Sequence, residues 1–123
     1  MQISQVLINL LNNSFDAVTG LPVRYIRISA RPIHEAENDK VEMSIVDSGP
    51  KIPAELSERI FQPFFTTKGV GKGTGLGLSL SKGIIEAHDG TIRLDTASRE
   101  TRFVITLPVH QPGRKSDTPG QTT

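Results

Sequence analysis

Three groups of residues in this chain have the types and the spacing to do chemistry. The densest is a run of glycines: of 11 in the chain, Gly69, Gly71, Gly73, Gly75 and Gly77 fall within nine residues, in GVGKGTGLGL. Closely spaced glycines let backbone N–H groups approach an anion, and a helix N-terminus adds positive partial charge, so the run suits phosphate. Lys68 and Lys72 add cationic side chains. A flexible surface loop would carry the same glycines. The spacing fits neither a dinucleotide fingerprint nor a P-loop, for which Gly71-Lys72-Gly73 is the nearest approach. The second group is Asn9 and Asn13, one helical turn apart. Their amide oxygens suit a hard, oxygen-ligated cation such as Mg²⁺, although a solvated asparagine face has the same pattern. The third is Asp47, at the end of an apolar run and followed by Ser48-Gly49-Pro50. A carboxylate there accepts a hydrogen bond from an exocyclic amine while Gly49 lets a flat ring lie close to the backbone; the alternative is an Asx turn.

These groups need elements to hold them. From Gln2 to Val18, Ile3, Val6, Leu7, Leu10, Leu11, Ser14 and Val18 collect on one side of a helix, and Asn9, Asn13 and Asp16 on the other. Thr19-Gly20-Leu21-Pro22 is its stop signal. Residues 24–31 and 41–47 alternate as half-buried strands, with Asp47 continuing the face of Val41, Met43 and Ile45, and 32–40 reads as a polar turn. A short helix is expected over Ala54–Ile60, and a mobile loop over 61–75. The helical period returns over Leu76–Ala87, with Leu76, Leu80, Ile84 and Ala87 sharing a side, and Gly83 inside it suggests close packing. Thr91–Thr96 and Thr101–Leu107 alternate as strands around a turn at Ser98-Arg99-Glu100. From Val109 to Thr123 the chain is polar, with the composition of a disordered tail. Two strand pairs with three helices predict a two-layer α/β sandwich, a mixed β-sheet with the helices on one face.

Composition sets bounds on function. At 123 residues the chain is one domain, long enough for a single core without metal or disulfide staples. The absence of cysteine excludes disulfides, Cys-ligated zinc and cysteine nucleophiles. A net charge of +1, from 14 Lys and Arg against 13 Asp and Glu, argues against a nucleic-acid partner. No long apolar run or signal peptide is present, which points to a soluble, reducing compartment.

The order QVLINLLNNSFDAV, DSGPKIP, FQPFFTTK, GKGTGLGLS and TRFVITLP, covering about residues 2–108, resembles the N box, first glycine box, F box, second glycine box and final strand of the ATP-binding catalytic domain of sensor histidine kinases. These belong to the GHKL superfamily with its Bergerat ATP-binding fold. The resemblance implies a catalytic domain over 1–108, a tail over 109–123, and ATP bound under a lid spanning roughly Phe61 to Gly75. It implies Asn13 as the principal Mg²⁺ ligand with Asn9 as its helper, and Asp47 on the adenine amine. Gly49 and Ile52 would shape the adenine pocket, with Thr101 near it, while Phe61, Phe64 and Phe65 anchor the lid. Lys68 and Lys72 are the implied phosphate contacts, with Gly73, Thr74, Gly75, Leu76 and Gly77 forming the hinge and the phosphate-facing helix start.

The implied reaction is transfer of the γ-phosphate to a histidine on a separate dimerisation domain, with a response regulator downstream. No phosphoacceptor histidine is expected in this chain: His34, His88 and His110 lie in a linker, at a helix end and in the tail. The domain would be cytoplasmic, without membrane contact of its own. Hydrolases of the superfamily carry a glutamate where Asn9 stands, and an amide cannot take a proton near neutral pH. Lys51 occupies the place of the second glycine of the first box, Ser98-Arg99-Glu100 precede Thr101 where the family has glycine, and Asp16 has no phosphate role. The family's opening strands are missing upstream of the first helix, the expectation for a fragment. A non-catalytic nucleotide-binding module and a ligand-free structural domain are the alternatives.

Overall fold

The computed structural model describes residues 3–35, 37–65 and 77–109. The first helix, α1, is Ile3–Val18, and its buried residues Val6, Leu10, Ser14 and Val18 repeat every fourth position, the side expected from the periodicity. Gly20, at φ 86°, takes the left-handed conformation that ends the helix, and the Thr19 N–H closes on Phe15 O at 3.1 Å. Two long strands follow, β1 (Ile26–His34) and β2 (Asp39–Asp47), each reaching further into the 32–40 segment than expected. Pro32 is tolerated within β1 because β1 is an edge strand. Its inner-face residues Ile28 and Ala30 accordingly stay exposed.

The expected short helix over Ala54–Ile60 is instead two 3₁₀ turns, Ala54–Leu56 and Arg59–Phe61. A segment this short cannot offset the cost of nucleating an α-helix and closes with i→i+3 bonds. Helix α2 is Gly77–Ala87, and strands β3 (Thr91–Leu94) and β4 (Thr101–Pro108) complete the described chain.

The sheet order is β1-β2-β4-β3, and all pairings among the described strands are antiparallel, which corrects the expected mixed sheet. The reason lies in the connection. β2 and β3 run the same way on either side of the α2 crossover, but β4 inserts between them and pairs with both. The two-layer α/β architecture is otherwise as expected. Val6 and Leu10 of α1 and Ile84 and Ile85 of α2 pack over Ile45, Ile92, Leu94, Phe103 and Ile105, with Ile60 and Phe61 closing one end. Phe61 meets Phe103 edge to face, ring centroids 6.2 Å apart. Each fully buried side chain of this size contributes roughly 1.5–3 kcal/mol.

Helix α2 differs from expectation in its rotation. Its buried residues are Ser81, Ile84 and Ile85, while Leu80 is 56% exposed and Ala87 is exposed. The small Ser81 faces α1 and receives the Asn9 amide of that helix. Gly83 is exposed too, with nothing within 4 Å of where its Cβ would be, so the expected close packing there is absent.

The outer face of the sheet is charged. Glu42 accepts from Arg31 at 2.8 Å and lies 3.7 Å from Arg102, which also pairs with Asp95 and donates to Ser44 Oγ. Glu100 accepts from Arg27 at 2.8 Å and from the Tyr25 hydroxyl. Hydrogen bonds from these arginines hold the carboxyls of Glu42, Asp95 and Glu100 below their ordinary values. The hydrogen bond from the Tyr25 hydroxyl to Glu100 pushes the Tyr25 phenol up.

Candidate functional site

The site is built where β2 ends. Asp47 is 2% exposed, and its Oδ1 accepts the Gly49 N–H at 2.8 Å, so the Asx turn expected as an alternative does form. That bond uses one carboxylate oxygen and orients the other. The turn is fixed on three sides. Ser48 Oγ accepts the Tyr25 N–H at 2.9 Å and donates to Val23 O at 3.1 Å, tying it to the start of β1. Thr101, directly opposite Asp47 in the β2–β4 register, is buried and donates to Pro50 O at 3.1 Å. Lys51, standing in place of a glycine, is turned outward and donates to Thr96 O at 3.2 Å, so the turn forms without the second glycine.

Gly49 is required by the approach of α1. A Cβ there would fall 2.7 Å from Ala17 Cβ, 3.1 Å from Ala17 O and 2.8 Å from Asp47 Oδ1. The helix that carries the asparagines is thereby brought against the loop that carries the carboxylate. On α1, Asn9 and Asn13 are half-buried on one stripe. Asn9 also bridges the helices: its Nδ2 donates to Ser81 Oγ at 3.3 Å and to Gly77 O at 3.5 Å, while its Oδ1 accepts from Gln5 at 3.1 Å. It therefore ties α1 to the start of α2.

Ile52 and Phe65 are partly buried against the core, and the Arg59 guanidinium lies over the Phe65 ring, 5.2 Å from its centroid. Phe64 is 74% exposed and holds a left-handed φ of 68°, uncommon for a bulky residue. Gly77 is the first residue of α2. Lys68, Lys72, Gly73, Thr74, Gly75 and Leu76 lie outside the described residues, as do His110 and the rest of the expected tail. His34 is exposed, its Nδ1 3.3 Å from Asp39 Oδ1, and the His88 Nδ1 is 2.8 Å from Ile84 O at the end of α2. The periodicity does not single out Ser81, which receives Asn9. Its signal is a hydroxyl on an otherwise apolar helix face.

The structure thus joins Asp47, Gly49 and Thr101 at one corner against Ala17 of α1, with Asn13 and Asn9 one and two turns back along that helix and Ile52 packed against the core. A family profile described as "Histidine kinase-, DNA gyrase B-, and HSP90-like ATPase" matches residues 1–111. The chain belongs to this family. Over 112 residues it is 41% identical to the two-component sensor PprA of Pseudomonas aeruginosa, covering 90% of this chain and 12% of that protein. It is 36% identical over 115 residues to the sensory histidine kinase/phosphatase NtrB of Rhodobacter capsulatus, covering 88% of this chain and 32% of that one. Among solved structures, a nucleotide-free catalytic domain of the histidine kinase ThkA superposes with a TM-score of 0.72 at 42% identity, over 86% of this chain and 65% of that one. The chain therefore spans between about an eighth and a third of these two curated relatives. Among the described residues no helix is long and apolar enough to cross a membrane.

Proposed function

We propose that this chain binds Mg-ATP and donates the γ-phosphate to a histidine on a separate dimerisation domain, as the catalytic part of a two-component sensor kinase. The observation that carries the reading is the buried Asp47 carboxylate, one oxygen fixed by Gly49, in register with Thr101 and held against the asparagine-bearing helix. The free direction of that carboxylate suits a 6-amino group and opposes the 6-oxo group of guanine. The similarity to sensor kinases supports it, as does a ThkA structure solved in complex with the response regulator protein TrrA, a partner class we extend to the parent of this chain.

In this reading Asn13 and Asn9 hold Mg²⁺ by their amide oxygens, which fits the donor chemistry of a hard cation that keeps waters and phosphate oxygens. The bound cation supplies charge neutralisation at the phosphates. Asn9 meets it through the oxygen that now accepts from Gln5, while its Nδ2 keeps α2 in place. Lys68 and Lys72, and the run Gly73, Thr74, Gly75, Leu76 and Gly77, are assigned to the phosphates from the motif alone. Phosphoryl transfer is mostly positioning, so the protein's work is to aim the γ-phosphate at an imidazole that is already nucleophilic. Asn9 offers no general base for water. The domain works on the cytoplasmic side.

Labelled ATP tests the assignment. With a histidine-bearing dimerisation domain present, acid-labile phosphohistidine is expected on that domain and none on this chain. Label on this chain would overturn the assignment, and nucleotide binding without any transfer would favour a regulatory module.

A further inference from the structure

Asn9 and Ser81 meet between the two helices, 72 positions apart in the chain. Neither residue is the natural choice for its place. Asparagine is a poor helix former. Ser81, 0% exposed, sets a hydroxyl beside the buried Ile84 and Ile85 of α2, where alanine would favour the helix. The contact between them supplies a reason for both: Asn9 Nδ2 donates to Ser81 Oγ at 3.3 Å and to Gly77 O at 3.5 Å.

These bonds also decide which way the amide points. The two ends of an asparagine amide are alike in shape, so its orientation is set by its partners. A peptide carbonyl only accepts, and the end of Asn9 that meets Gly77 O is therefore the N–H₂ group. Ser81 Oγ, one helical turn further along α2, receives that same end. The oxygen is left for the other side, where the exposed Gln5 Nε2 donates to it at 3.1 Å. An amide whose nitrogen is held in this way offers a cation its oxygen, the end that a hard cation requires. Exchange of Gln5 for a cation would disturb nothing in the core, because that bond is exposed. The two ends of an amide also polarise each other: a cation on the oxygen draws electron density from the nitrogen and makes its N–H a stronger donor.

Resting on the reading of Asn9 as a Mg²⁺ ligand, we infer that Ser81 is a positioning residue whose buried hydroxyl holds the Asn9 amide oxygen-outward and couples cation binding to the seating of α2 on α1. Ser81 acts through Asn9. Cation binding strengthens the bond that holds the first turn of α2, and that bond in turn keeps the oxygen aimed for the cation. The coupled turn starts at Gly77, the last glycine of the run assigned to the phosphates. Removal of the hydroxyl therefore acts on the Mg²⁺-dependent part of nucleotide binding and leaves the metal-free part alone.

The test titrates the full chain with ATP in EDTA and again in Mg²⁺, for the wild type, Ser81→Ala, Asn9→Ala and the double variant. Ser81→Ala should match the wild type in EDTA and lose roughly three- to tenfold of the affinity gained with Mg²⁺. In the Asn9→Ala background the same substitution should change nothing further, because the residue through which it acts is gone. A serine that only packs would shift affinity equally with and without Mg²⁺, and would do so in both backgrounds. Either that result, or a Mg²⁺ gain in Ser81→Ala equal to that of the wild type, overturns the role of Ser81 while the cation site stands. If the wild type gains nothing from Mg²⁺, or if Asn9→Ala keeps the whole gain, the reading of Asn9 as a ligand falls and this inference with it.

Discussion

Asp47 shapes its own turn through Oδ1, and in the proposed function its other oxygen meets the adenine amine. Asp47→Asn keeps the turn acceptor but sets an N–H₂ group against the adenine amine. ATP affinity is expected to fall roughly ten- to hundredfold with little change in urea midpoint, measured by titration calorimetry and chemical unfolding. Gly49→Ala acts differently, because its Cβ collides with Ala17 and with Asp47 itself. It should cost about 1–3 kcal/mol of stability and weaken ATP binding as well. Most of this corner is legible in the chain, since an aspartate ending an apolar strand before Ser-Gly-Pro signals both a turn and a polar contact. What cannot be read there is why the glycine is needed. The reason is the long-range approach of α1, 32 positions earlier at Ala17, and no local pattern encodes it.

At the scale of elements, α1 is set by its apolar repeat, and the periodicity identifies both its extent and its buried side. In α2 the repeat identifies the helix but misplaces its face by about one residue step, because hydrophobicity favours leucine over serine at the buried positions. Ser81 is buried for its hydroxyl, which receives Asn9, and Leu80 is left outside. Gly83 faces solvent with room for a side chain and no positive φ. Gly83→Ala should therefore stabilise the protein by about 1 kcal/mol, raising the melting temperature by about 4 °C without altering ATP affinity. A loss of stability would show that the glycine serves a contact after all. The extension of β1 and β2 through 32–40 was hidden by Pro32 and the polar residues around it, which an edge hairpin accommodates and an isolated sequence window does not reveal.

For the whole molecule, the two faces of the sheet divide the work. The inner face carries the core and ends at the site, and the outer face is locked by Arg31–Glu42, Arg102–Asp95 and Arg27–Glu100. Each of these carboxyls has its folded pKa lowered, so its contribution is present above the ordinary carboxylate value and is lost as pH falls through the folded one. The urea midpoint should drop on acidification below about pH 4, and Glu42→Gln should flatten that dependence. The raised Tyr25 phenol adds a loss in alkali, as pH rises through its folded pKa. Because these pairs are surface-exposed to differing degrees, their effect should weaken with added salt. The comparison with known proteins places this scaffold in an ATPase family, and the corner at Asp47 is where that membership becomes a claim about chemistry.

Calorimetric titration of the chain with ATP, with and without Mg²⁺, tests that claim most directly. One-to-one saturable binding that strengthens with Mg²⁺ and is severely weakened in Asp47→Asn is the expected result. No binding, or binding indifferent to the aspartate, would contradict it.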